Sequence, residues 1–150
     1  MMSQVFLRHE GGDVPYDVVA AQFDVNDGAF DFSLELECAD KDNDDVPPEI
    51  MIRLTRMKVD DDGATLYVRA HNDFAKNDYY DYPNAFVYSG FHHTYVTACL
   101  AIKSQEESSI VADVRIVTDD VDRYDAKARD HLIFGTCKFS RGKKSNMWGP

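Results

Sequence analysis

Positive charge is scarce in this chain. Sixteen Lys and Arg stand against 27 Asp and Glu in 150 residues, giving a net charge of −11 and an isoelectric point near 4.7. A folded surface this acidic repels nucleic-acid phosphates and anionic lipid, so direct binding to nucleic acid or membrane is not expected, whereas cationic partners are attracted. Cysteine is scarce as well. Cys38, Cys99 and Cys137 are odd in number and widely spaced, which argues against a disulfide framework. Each lies in an apolar, strand-like run, where a free thiol behaves as a small hydrophobe. No hydrophobic run is long enough to span a bilayer, and the opening MMSQVFLRHEGGD lacks the apolar core and cleavage site of a signal peptide. A reducing, cytoplasmic setting is the expectation. CxxC and HxxxH spacings, a glycine-rich phosphate loop and a nucleophile elbow are all missing. The adjacent His92 and His93 would face opposite ways on a strand and could not easily share one metal. The residues therefore lend no support to a metal site, a cofactor or an enzymatic activity.

What the chain has in quantity is apolar alternation. Hydrophobic residues make up 44% and aromatics 12%, enough to build the core of one domain. In AFDFSLELEC, Phe30, Phe32, Leu34, Leu36 and Cys38 alternate with Asp31, Ser33, Glu35 and Glu37. That is the period of a strand with one face in a core and one in water. A preceding strand over 17–25 and a tight turn at Asn26-Asp27-Gly28 complete a hairpin. The same grammar predicts a second hairpin over 49–70. Ile50, Ile52 and Leu54 lie on its inner face, with a turn at Asp60–Gly63 and an outgoing strand carrying Leu66, Val68 and Ala70. Residues 71–84 read as a long polar connection. Residues 85–103 read as a β-rich run, long for one strand, with Gly90 a candidate bulge or bend, and SIVADVRIV as another strand. The spacing of Val121, Tyr124 and Ala128, behind the acids of DDVDRYD, predicts a short helix over 119–130. HLIFGTCKFS closes the domain.

The expected fold is mainly β with one short helix: an antiparallel β-sandwich or partly closed β-barrel of about seven to eight strands. The expected organisation is a single domain over 1–139 and a basic, flexible tail over 140–150. From Lys138 onward the chain holds Lys138, Arg141, Lys143 and Lys144 and no acid, so the first 137 residues set 27 acids against 12 bases, a net −15.

The acids are clustered. In ADKDNDD, Asp40, Asp42 and Asp44 alternate as in a calcium-binding EF-hand loop. The sixth position, however, is Asp45 rather than Gly, the twelfth is Met51 rather than Glu, and Pro47 and Pro48 stand where a helix should begin. The stretch is expected to be an acidic surface turn. Further clusters lie at Asp60–Asp62, Asp73–Asp81 and Asp119–Asp125. In NDYYDYPN, Asp78 and Asp81 are interleaved with Tyr79, Tyr80 and Tyr82. Tyrosine offers large contact area at little entropy cost, and a carboxylate offers a fork for Arg or Lys. Asp78, Tyr79, Tyr80, Asp81 and Tyr82 are thus the expected contact core for a partner, with Asp42, Asp44, Asp45, Asp61 and Asp62 supplying the field.

These features point to a binding or inhibitor protein that caps a basic protein. An immunity protein neutralising a nuclease-type toxin, or a nucleic-acid mimic, would carry such a surface, because nucleases hold phosphate with Lys and Arg. Two alternatives differ in class: a structural subunit of a phage particle or secretion apparatus, and a small-ligand-binding β-barrel with polar residues such as His92 and Thr94 lining a pocket.

Overall fold

The computed structural model describes residues 3–9, 12–62, 65–73, 85–89, 95–118 and 131–142. Nine strands lie in this part: β1 (Gln4–His9), β2 (Gly12–Asn26), β3 (Ala29–Cys38), β4 (Glu49–Asp62), β5 (Thr65–Asp73), β6 (Ala85–Tyr88), β7 (Tyr95–Gln105), β8 (Ser109–Thr118) and β9 (His131–Arg141). They form one sheet in the order β3-β2-β1-β9-β8-β7-β5-β4-β6, and β3 also pairs with β4. The sheet thereby curls back on itself as a partly closed barrel, with neighbours antiparallel apart from a short parallel contact between β2 and β9. Strand β4 shares its second edge between two partners, β6 through Met51–Leu54 and β5 through Lys58–Asp62. Between β6 and β7 no ladder runs among the described residues. Among the described residues there is no helix long and apolar enough to cross a membrane.

Alternation decides which side chains fill the interior. Phe30, Phe32, Leu34, Leu36 and Cys38 of β3 are all buried, as are Ile50, Ile52 and Leu54 of β4 and Ile110, Ala112, Val114 and Ile116 of β8. They belong to one contiguous core, in which Phe32 stacks near Phe30 and meets the Phe139 ring edge-on at 5.1 Å between centroids. A void of about 10 Å³ among the described residues is bounded by Phe32, Leu34, Ile52, Leu54, Leu100 and Phe139 among others. That is room for one water at most, in apolar surroundings that would not hold it.

The β2–β3 hairpin turns where the sequence predicts it. Asp27 and Gly28 both have positive φ, 50° and 79°, the paired left-handed conformation that matches the strand twist. The described residues form nine strands, in line with the expected seven to eight, and two features raise the count. One is β1, which pairs with β2 from Val5↔Tyr16 to His9↔Gly12 and with β9. The other is that the run 85–103, long for one strand, holds two, β6 and β7. Other expectations are corrected. Asp60, Asp61 and Asp62 are ladder residues of β4, opposite Tyr67, Leu66 and Thr65, so the turn lies beyond them. His71, Asn72 and Asp73 extend β5 along β7 instead of opening a loop. Ser140 and Arg141 belong to β9, where Ser140 pairs with Ser109, so the ordered barrel extends past residue 139. The predicted helix over 119–130 and the remainder of the basic tail, 143–150, lie outside the described residues.

Candidate functional site

Antiparallel order gives the barrel two unlike ends. At one, the turns are tight: Asp27-Gly28 between β2 and β3, the two-residue link from Asp62 to Thr65, and the short connection from Gln105 to Ser109. Gly142 lies at this end too, next to the last residue of β9, whereas Ser3 lies partway along β9, where its Oγ accepts from the Lys138 N–H. At the other end, beside the two-residue link from His9 to Gly12, lie the longer connections. These are the links from Cys38 to Glu49, from Asp73 towards β6, and from Thr118 to His131.

The connection between β3 and β4 is built in detail. Its stem is closed by the Cys38 N–H donating to the Pro48 carbonyl at 2.8 Å and the Ala39 N–H to the Pro15 carbonyl at 3.1 Å. Two side-chain turns fold its tip. The Asp42 N–H donates to Asp40 Oδ1 at 3.0 Å, and the Asp45 N–H to Asn43 Oδ1 at 2.9 Å. Asn and Asp favour these conformations because the side-chain oxygen takes the place of a backbone carbonyl. The apolar part of the loop turns inward. Val46 and Pro47 are buried, and the Tyr16 hydroxyl, on β2 inside the barrel mouth, donates to the Pro47 carbonyl at 2.5 Å. Burial pushes the Tyr16 phenol above its ordinary range, with a smaller contribution from the neighbouring Cys38, so the group stays a neutral donor at physiological pH. The Cys38 thiol donates to the Asp40 carbonyl at 3.3 Å.

The outcome is a loop whose apolar side is seated and whose acidic side faces water. Asp40, Asp42, Asp44 and Asp45 are exposed. From Glu37 to Glu49 the chain has six carboxylates and a single base, Lys41, and that ammonium is paired with Glu37. The loop can offer carboxylate acceptors to Lys or Arg of a partner. Among the described residues no three His, Cys, Asp or Glu groups come together as metal ligands would.

The ten expected contact residues are not all brought together. Asp42, Asp44 and Asp45 share the β3–β4 loop. Asp61 and Asp62 lie at the far end of β4, next to the tight turns, with at most roughly 40 Å of strand between at about 3.3 Å per residue. Asp78, Tyr79, Tyr80, Asp81 and Tyr82 lie outside the described residues; the strand preceding them, β5, ends with Asp73 at the loop-bearing end. Sequence reasoning missed the seat of the loop. Val46-Pro47-Pro48, an apolar triplet within an acidic stretch, was the available signal, but its partner Tyr16 is 31 residues away and nothing local marks it. Comparison of the chain with family models, curated proteins and solved structures found no match.

Proposed function

We propose that this protein binds a cationic protein partner and caps its basic surface, as an inhibitor of a nuclease-type enzyme would, using the loop-bearing end of the barrel. The observation that carries this reading is the seated β3–β4 loop with Asp42, Asp44 and Asp45 exposed, in a chain of net charge −11. A field of this sign steers a basic partner and speeds encounter. A loop already ordered meets it without the entropy cost of being fixed on contact. The contiguous packed core among the described residues, with a void of about 10 Å³ beside Phe32 and Phe139, supports binding at the surface over binding inside the barrel.

Capture from the native cell extract tests the proposal, with parallel washes at low and high salt. The expected result is one basic protein retained in stoichiometric amount and weakened by salt, with an association rate falling about tenfold or more as ionic strength rises from low to physiological. Retention that is indifferent to salt would refute the electrostatic account. Recovery of a multi-subunit assembly, or of further copies of this chain alone, would replace it with a structural role.

A further inference from the structure

The β3–β4 connection is fastened to the barrel at two points of unlike chemistry. Val46 is 6% exposed and packs in the core cluster. Tyr16 is 3% exposed and spends its only donor on the Pro47 carbonyl, across 31 residues of sequence. Tyr16 lies opposite Cys38 in the β2–β3 ladder, so the phenol stands beside the stem of the loop and reaches up to its returning limb. The tip has no contact of this kind. Apart from the Cys38 thiol on the Asp40 carbonyl and the Lys41–Glu37 pair, which tie its outgoing limb to β3, its described hydrogen bonds, Asp40 with Asp42 and Asn43, and Asn43 with Asp45, lie within the loop itself. Turns of this type are local, and they do not fix how the tip stands relative to the barrel. The returning limb is held to the barrel by Val46 and by the hydroxyl of Tyr16.

We propose that Tyr16 is a latch: its hydroxyl holds the 39–48 connection in one conformation, so that Asp42, Asp44 and Asp45 reach a cationic partner already in place. Tyr16 is then a positioning residue, acting through the loop and never touching the partner. The second half of this statement rests on the loop-bearing end being the contact face; the first half does not.

Tyr16→Phe removes the hydroxyl and keeps the ring. The Pro47 carbonyl, buried without its donor, then regains a partner only by moving towards water. Amide hydrogen exchange reads this directly, since the N–H groups of Ala39, Asp42, Asn43 and Asp45 donate bonds in the latched loop. In Tyr16→Phe these four amides are expected to exchange about tenfold or more faster while amides of the β3–β4 ladder keep their rates. Val46→Ala loosens the other fastening and is expected to give the same local pattern, so the test survives failure of either variant to fold. Unchanged rates at the four amides, or a uniform rise over the whole barrel, would overturn the latch. A decalysine peptide serves as the cationic probe. Its affinity is expected to fall several-fold in Tyr16→Phe although no charge has changed, and equal affinity would overturn the positioning role. If the triple variant Asp42→Asn, Asp44→Asn, Asp45→Asn binds the peptide as well as the native chain does, the contact face lies elsewhere, and the exchange result still decides the latch.

Discussion

Cys137 shows how a single residue ties this barrel to pH. Its side chain is fully buried on β9, and burial pushes the thiol from its ordinary 9.0 to about 11. The unfolded chain therefore gives up this proton first. Stability from this group is complete below pH 9 and is lost as pH rises from 9 towards 11. The Tyr16 phenol, also raised by burial, adds a loss of the same sign above about pH 10. Denaturant midpoints followed from pH 8 to 11 should fall progressively in the native protein. Cys137→Ala should start from a lower midpoint, because a core atom is missing, but decline less steeply between 9 and 11. Parallel profiles would show that the thiol does not titrate as its surroundings dictate. None of this follows from the sequence, in which Cys137 is one of three thiols in apolar runs, distinguished only when the fold decides that it is fully buried and Cys99 is not.

At the level of elements, the strands that could be read were those where local preference and tertiary demand agree. The β2–β3 hairpin has strict alternation and an Asn-Asp-Gly turn, and both survive intact. Strand β4 is legible only as far as Leu54. Beyond it the register against β3 jumps from Phe32↔Leu54 to Phe30↔Met57, and the buried positions pass from even to odd numbers, with Met57 1% exposed. The bulge centres on Arg56, which has a φ of 56°, and its N–H donates to Asp31 Oδ1 on β3 at 2.9 Å. A bulge of this kind usually advertises itself with glycine, and here an arginine takes the strained backbone with an aspartate from the next strand to support it. Asp31→Ala should cost about 1 kcal/mol by removing that acceptor, measured as a shift in unfolding midpoint; a change within error would mean water serves the Arg56 N–H equally well. Strand β1 was illegible for a different reason. It is six residues long and contributes only Val5 and Leu7 to the core among its described side chains, too short a pattern to stand out. The division of 85–103 into β6 and β7 was hidden because β-forming residues continue across the break.

For the molecule as a whole, the relevant length is the separation between charges. Asp42, Asp44 and Asp45 lie at one end of β4, Asp61 and Asp62 at the other. At physiological salt the Debye length is about 8 Å, far less than the roughly 40 Å of strand between the two groups. They cannot act together on one contact, although both contribute to the long-range field at low salt. Neutralising Asp42, Asp44 and Asp45 to Asn should therefore slow association with the captured partner several-fold at physiological salt. Neutralising Asp61 and Asp62 should change it by less than about twofold, the two variants drawing closer as salt is lowered. Stopped-flow association rates decide this, and a larger effect from the second pair would put the contact at the tight-turn end. The acidity and the exposed turn at Asp40–Asp45 were readable in the chain itself. Which acids share an end was not, because strand direction around a barrel depends on pairings such as β1 with β9, between residues more than 120 apart.

Gly142 stands with the tight turns, where its N–H donates to the Phe23 carbonyl and the wall is closed. A tether attached at Gly142 would hold the barrel upright, with its acidic loop pointing away from the support and open to solution. Coupling through Lys41, inside that loop, would turn the same face down. The orientation in which this protein is presented thus decides whether a partner of the kind proposed can find it.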